Sequence, residues 1–171
     1  METWDAIRSR RNVRQYADRS IARPDLDRVL EAGRRSPSAN NWQPWDFVVV
    51  TDRGQLTELA TVWRGASHVA QSAATICLVA PDLDGAAERE RCKYDLGQAT
   101  ISMMIEAADL GIGSGHASAA DQETARTLLG FPADRYLAYM IALGYPADRP
   151  LRPIVRPNRR PFEDVVHYGQ W

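Results

Sequence analysis

Cysteine is nearly absent from this chain: two residues, Cys77 and Cys92, in 171. That excludes a disulfide framework and a cysteine-based metal knuckle. Cys77 lies in the apolar run Ala74–Ala80 and Cys92 in a helical pattern, so both read as reduced thiols. Histidine is scarce too, and His68 and His167 lack partners at metal-ligand spacing, so they read as structural. Net charge is only −1 and the pI near 6.3, which argues against a general nucleic-acid binder. No apolar run reaches the ~18 residues of a membrane span. The acidic opening Met1–Asp5 does not read as a secretory leader. The expectation is a cytoplasmic protein without a metal site.

What is present is ordinary in bulk, with 44% hydrophobic and 25% charged residues. A chain of this length reads as one domain over residues 1–171, able to hide roughly two thirds of its unfolded surface. Apolar spacing predicts a first helix from Glu2 to Arg10, and Pro24 opens a second carrying Leu26, Val29 and Leu30. Phe47–Val50 and Thr75–Ala80 are β-branched runs that read as buried strands. A helix is expected over Gln55–Trp63, and the longest over Ala86–Leu110, striped by Cys92, Leu96, Ala99, Met103 and Ala107. Gly111–His116 reads as a glycine-rich turn or strand. Asp121 should cap a helix ending at Gly130, and Tyr136–Leu143 is another strand. Five prolines after Leu143 make residues 147–171 an extended arm, with a helical turn near Phe162–Val166. Strands and helices mix without a clean βαβ alternation, so the class is α+β.

Two segments carry the chemistry. Arg10-Arg11-Asn12-Val13-Arg14 is a cation cluster near a helix end, and guanidinium forks bind phosphate bidentately. Ser36-Pro37-Ser38-Ala39-Asn40-Asn41-Trp42-Gln43-Pro44-Trp45 is a rigid polar loop presenting backbone N–H groups and amides. A phosphorylated ligand with a flat, hydrogen-bonding ring suits the pair. The stretch Gly111–Ser118 is not a dinucleotide fingerprint, because it follows a long helix and lacks the GxGxxG spacing.

In this order and spacing, the two segments resemble the amino-terminal part of the nitroreductase family of FMN enzymes. Gly111–Ser118 is similar to that family's Leu-Gly-x-Gly stretch, and Arg159-Arg160-Pro161-Phe162-Glu163-Asp164-Val165-Val166-His167 to its carboxyl-terminal signature. The resemblance implies a three-layer sandwich with a mixed central sheet flanked by helices, interlocked as a homodimer. It implies tightly bound, non-covalent FMN that takes hydride at N5 from NADH or NADPH and passes it to nitroaromatic or quinone-like acceptors by a ping-pong mechanism. No catalytic side chain is then needed. Arg10 and Arg11 would serve the FMN phosphate, with Asn12 at the family's usual serine. Arg14 would lie near flavin N1 and O2, where a cation steadies the reduced ring. Pro37, Ser38 and Ala39 would lie against the flavin of the neighbouring subunit, with Asn41 from the family's Asn-x-Gln-Pro-Trp touching the ligand. His116 or Ser118 would stand nearest N5. Arg159 would return to the phosphate, with Arg160 the alternate; Pro157 replaces the family's usual lysine there. The chain is short where other members build a substrate lid, leaving Trp63 and Arg64 as pocket candidates. Two other readings are a flavin-remodelling or deazaflavin-linked enzyme of the same fold and a non-catalytic nucleotide-phosphate-binding protein.

Overall fold

A computed structural model describes all residues from Met1 to Trp171. Its centre is a four-stranded sheet of β1 (Asp46–Val50), β2 (Ala74–Pro81), β3 (Gly113–Ser118) and β4 (Arg135–Gly144), in the order β1-β2-β4-β3. All three strand pairings are antiparallel. Parallel pairing, the other half of the mixed sheet implied by the resemblance, enters only through the isolated bridge Asn12–Ser114.

The sheet has helices on both faces because the buried strands are apolar on both, as a two-sided sheet requires. Ile76 and Leu78 of β2 join Ile141 and Leu143 of β4 in a core with α2 (Arg23–Arg34) and α4 (Ala86–Asp109). Cys77, Val79, Met140 and Ala142 form the opposite core with α3 (Arg53–Leu59) and α5 (Gln122–Leu129). The short α1 (Thr3–Ser9) packs on α4. This is a three-layer α+β sandwich.

Local sequence explains most boundaries. Pro24 sits in the first turn of α2, where its missing N–H costs nothing. Asp121 caps α5 by accepting from the Thr124 N–H at 3.0 Å, and Gly130 ends that helix in the left-handed region at φ 72°. The α4 stripe is buried as expected: Leu96, Ala99, Met103 and Ala107 have no exposed surface.

One boundary differs. The pattern Gln55–Trp63 predicts a helix to Trp63, but α3 begins at Arg53 and stops at Leu59. The Val62 carbonyl is captured by the N–H groups of Ala120 and Asp121, both at 3.0 Å. Val62 itself is 1% exposed, so the chain leaves the helix to insert it into the core. A β-bulge also departs from a regular ladder. Tyr139 pairs with Leu78 and Leu137 with Val79, leaving Ala138 extra. The extra residue lets Leu137 enter one core while Tyr139 faces α4, an ordinary use of a bulge.

Candidate functional site

The arginine-rich segment is held as a partial fifth strand along the free edge of β3. Asn12 bridges Ser114, and the Val13 N–H donates to the Ser114 carbonyl at 2.9 Å. Further along, the Ala17 N–H donates to Tyr145 at 2.8 Å and the Ala147 N–H to Gln15 at 3.0 Å. The Tyr16 hydroxyl donates to the Val13 carbonyl at 2.8 Å, and burial holds its pKa well above the ordinary tyrosine range. Glycine makes the close approach possible. A Cβ on Gly115 would lie 2.4 Å from the Val13 carbonyl oxygen, and one on Gly113 would meet the Val13 side chain at 2.6 Å.

Extended chain alternates its side chains. Val13, 1% exposed, turns into the core, and Arg11 departs in that phase too. The Arg11 guanidinium donates to Asp148 at 2.7 Å and to the Arg149 carbonyl at 2.9 Å. Asp148 is held below the usual carboxylate range, first by that Arg11 bond. Arg10, Asn12 and Arg14 share the other phase. The expectation that Arg10 and Arg11 act on one phosphate therefore meets a different arrangement, in which Arg11 is already paired with a carboxylate.

Arg11 also lines a cleft of about 480 Å³ with Arg149 and Arg152, and three further clefts surround Arg10 and Arg14. One of about 430 Å³ brings Arg10 together with His116 of β3, Tyr139 of β4 and Lys93 of α4. A second, about 580 Å³, joins Arg10 to Arg159 of the carboxyl-terminal arm across the apolar residues Trp4, Ile7, Ile101 and Ile105. The third, about 510 Å³, pairs Arg14 with Trp63 and His68. None is lined by a carboxylate, in a chain with 22 acidic residues. The arrangement fits an anion.

The Ser36–Trp45 loop is a separate unit anchored on α4. Asp95, 1% exposed, accepts from the Ala39 N–H at 3.1 Å and from Gln98 at 3.2 Å. The Ser38 hydroxyl accepts from the Gln43 N–H at 2.9 Å, and the Gln43 amide donates to the Asn41 carbonyl at 3.1 Å. Asn40, Asn41 and Gln43 all have positive φ, near 52°, 57° and 53°. Asparagine tolerates that region best of the larger residues. Pro37 and Asn41 stay exposed, and Trp45 is buried while Trp42 is 39% exposed. Within one chain, no cleft described above is lined by Pro37, Ser38, Ala39 or Asn41.

Ser118 lies at the end of β3, half-buried. Arg160 donates back to the Asp164 carbonyl at 2.6 Å, a bond within the arm. Arg64 is exposed and lines none of the three clefts. Two functional candidates escape sequence reasoning. Asp95 holds the loop, and its only signal is a carboxylate next to Leu96 in a buried helical stripe. His68 faces Arg14 across 54 residues of sequence, which no spacing rule connects.

Comparison with known proteins follows the same lines. The family model described as Nitroreductase family matches residues 7–76, which include the arginine segment, the polar loop and β1. A protein of Archaeoglobus fulgidus named NADH dehydrogenase/NAD(P)H nitroreductase is 30% identical over 99% of both chains. A Bacillus subtilis protein named FMN reductase (NAD(P)H) is 25% identical, covering 97% of this chain and 73% of that one. The crystal structure of an NADH dehydrogenase/NAD(P)H nitroreductase from Bacteroides thetaiotaomicron superposes with a TM-score of 0.85 at 25% identity, over 100% of this chain and 99% of the other.

Proposed function

This chain belongs to the nitroreductase family, and from that premise we propose that it is an FMN-dependent NAD(P)H oxidoreductase working as a homodimer. When bound, FMN supplies the chemistry, accepting hydride at N5 from NADH or NADPH and passing it to an electron-poor acceptor such as a nitroaromatic or quinone. The observation that carries the reading is the arginine segment laid along β3, with carboxylate-free clefts at both of its ends.

The protein's part is to bind, orient and balance charge. Arg10 and Arg159 share a cleft and would hold the phosphate, with the exposed Asn12 beside them. Four residues of extended chain, about 13 Å, separate Arg10 from Arg14. Arg14 would then stand at the pyrimidine end, where its fixed charge would steady negative charge on the ring. Gly113 and Gly115 let Val13 pack against β3, which holds the arginine segment in place. His116 and Ser118 would bring the β3 backbone towards the N5 side.

A second copy completes the site in this reading. Pro37, Ser38, Ala39 and Asn41 are rigidly displayed yet line none of the clefts described above, and would close on the partner's flavin. Trp4 at 64%, Ile7 at 43% and Ile101 at 41% exposure form an uncovered apolar surface suited to an obligate interface. No helix is long and apolar enough to cross a membrane.

The test is a spectrum. Purified protein should be yellow, release FMN on denaturation, and bleach anaerobically when NADH or NADPH is added. Protein that stays colourless and ignores added FMN contradicts the reading.

A further inference from the structure

One buried polar atom has no partner and a cavity beside it. His68, in the 3-10 turn Ser67–Gln71, is 5% exposed, and its Nε2 makes no hydrogen bond. Buried polar groups are normally satisfied, so an orphan beside a cleft points to a ligand that the polypeptide does not itself supply. The cleft is the one lined by Arg14.

The groups that act on the charge of His68 come from three elements. Arg14 of the edge segment and His116 of β3 oppose its protonation, while the backbone at Gly115 and Gly65 favours it. The nearby Tyr16 hydroxyl is kept protonated by burial, and no carboxylate lines the cleft. Burial is the largest influence, and it pushes His68 below the usual histidine range, so the free protein holds it neutral at pH 7. Arg14 carries a fixed charge. His68 is thus the group in this cleft whose charge can follow that of a ligand.

Resting on the flavin reading above, we propose that His68 takes one proton from solvent when the ring beside Arg14 gains negative charge, and surrenders it on reoxidation. The balance closes. A dihydronicotinamide gives two electrons and one proton as hydride and departs as the oxidised cation, leaving one negative charge at the ring. His68 binds the second proton from water. Reoxidation by a quinone then removes the hydride and the His68 proton together, which is two electrons and two protons, the requirement for a hydroquinone. His68 therefore suits this site to acceptors that need both.

The experiment is the midpoint potential of the bound flavin against pH, over about pH 5 to 8 where histidine titrates. Its slope counts protons taken up per two electrons. Wild-type protein should show two, and His68→Gln one, halving the slope. Imidazole-nitrogen NMR of the wild type at neutral pH should show His68 neutral with oxidised cofactor and doubly protonated with reduced cofactor. A one-proton slope in the wild type, a two-proton slope surviving in His68→Gln, or an unchanged His68 signal on reduction each overturns the proposal. Yellow protein with any of those results leaves the flavin assignment intact. Colourless protein that takes up no FMN removes both.

Discussion

The two arginine-bearing ends of this chain are built in opposite ways. The amino-terminal segment is tied to the sheet by backbone bonds across long sequence separations, from Val13 to Ser114 and from Ala17 to Tyr145. The carboxyl-terminal arm has two such tethers near its start, the Ala147 N–H donating to Gln15 at 3.0 Å and, last, the Ile154 N–H donating to Arg8 at 3.1 Å. Beyond it every bond is local, as in Arg159 to Asn158 and Arg160 to Asp164. Val155, Phe162, Tyr168 and Trp171 are 86%, 65%, 88% and 100% exposed. One end is finished within a single chain; the other carries apolar side chains that a single chain leaves in water. On the proposed reading, the difference teaches that half of the anion site is preformed, while the other half would wait for a second copy.

The sharpest way to break this comparison is to remove residues 155–171. Sedimentation should show the full chain as a dimer and the truncated one as largely monomeric, with little change in far-ultraviolet circular dichroism. A truncated chain that stays fully dimeric would show that the arm is not the coupling element.

Next in size is Gly115→Ala, which attacks the finished end. The added Cβ would fall 2.4 Å from a backbone oxygen that no side-chain motion can clear. Overpacking of this kind costs about 3 kcal/mol. Denaturant unfolding should register that loss, together with weakened FMN retention as the segment is pushed off β3. A near-neutral result would mean that the segment is loosely laid.

A smaller effect is expected from Arg159→Ala. One charge-assisted contact contributes about 1.5 kcal/mol, or roughly tenfold in the dissociation constant for FMN.

The smallest concerns Glu31, whose bonds are as local as those of the arm. Hydrogen bonds from Arg34, then Arg35, hold its carboxyl down at about 2. A depressed carboxyl contributes stability that is fully present above the ordinary value of about 4.3 and lost as pH falls through the folded value. The wild type's small advantage over Glu31→Gln in melting temperature should therefore shrink between about pH 4 and 2, and should also shrink in salt because the pair is exposed. An advantage unaffected by both would show that Glu31 acts through packing.

The same contrast explains what was legible in the sequence. Features set by neighbours a few residues apart could be read directly: Pro24 opening α2, Asp121 and Gly130 bounding α5, the α4 stripe, and the apolar runs of β1 and β2. The arginine segment and the polar loop were visible as motifs. Features set by distant partners were not. The end of α3 depends on Ala120 and Asp121 reaching the Val62 carbonyl. The separation of Arg11 from Arg10 depends on which edge the segment joins and on Asp148 lying beside it. His68 meets Arg14 only because the turn Ser67–Gln71 packs beneath β3, and Asp95 reaches Ala39 only because α4 runs under the loop. Periodicity cannot report such meetings.

The central claim is that Arg10, and not its neighbour Arg11, presents its charge to the phosphate of the cofactor. The most direct measurement is calorimetric binding of FMN and of riboflavin, which lacks the phosphate, to wild-type protein, Arg10→Ala and Arg11→Ala. The account predicts that Arg10→Ala lowers the preference for FMN over riboflavin about 10- to 100-fold, while Arg11→Ala leaves that ratio close to the wild-type value. Equal loss in both variants, or a preference that survives Arg10→Ala, would contradict it.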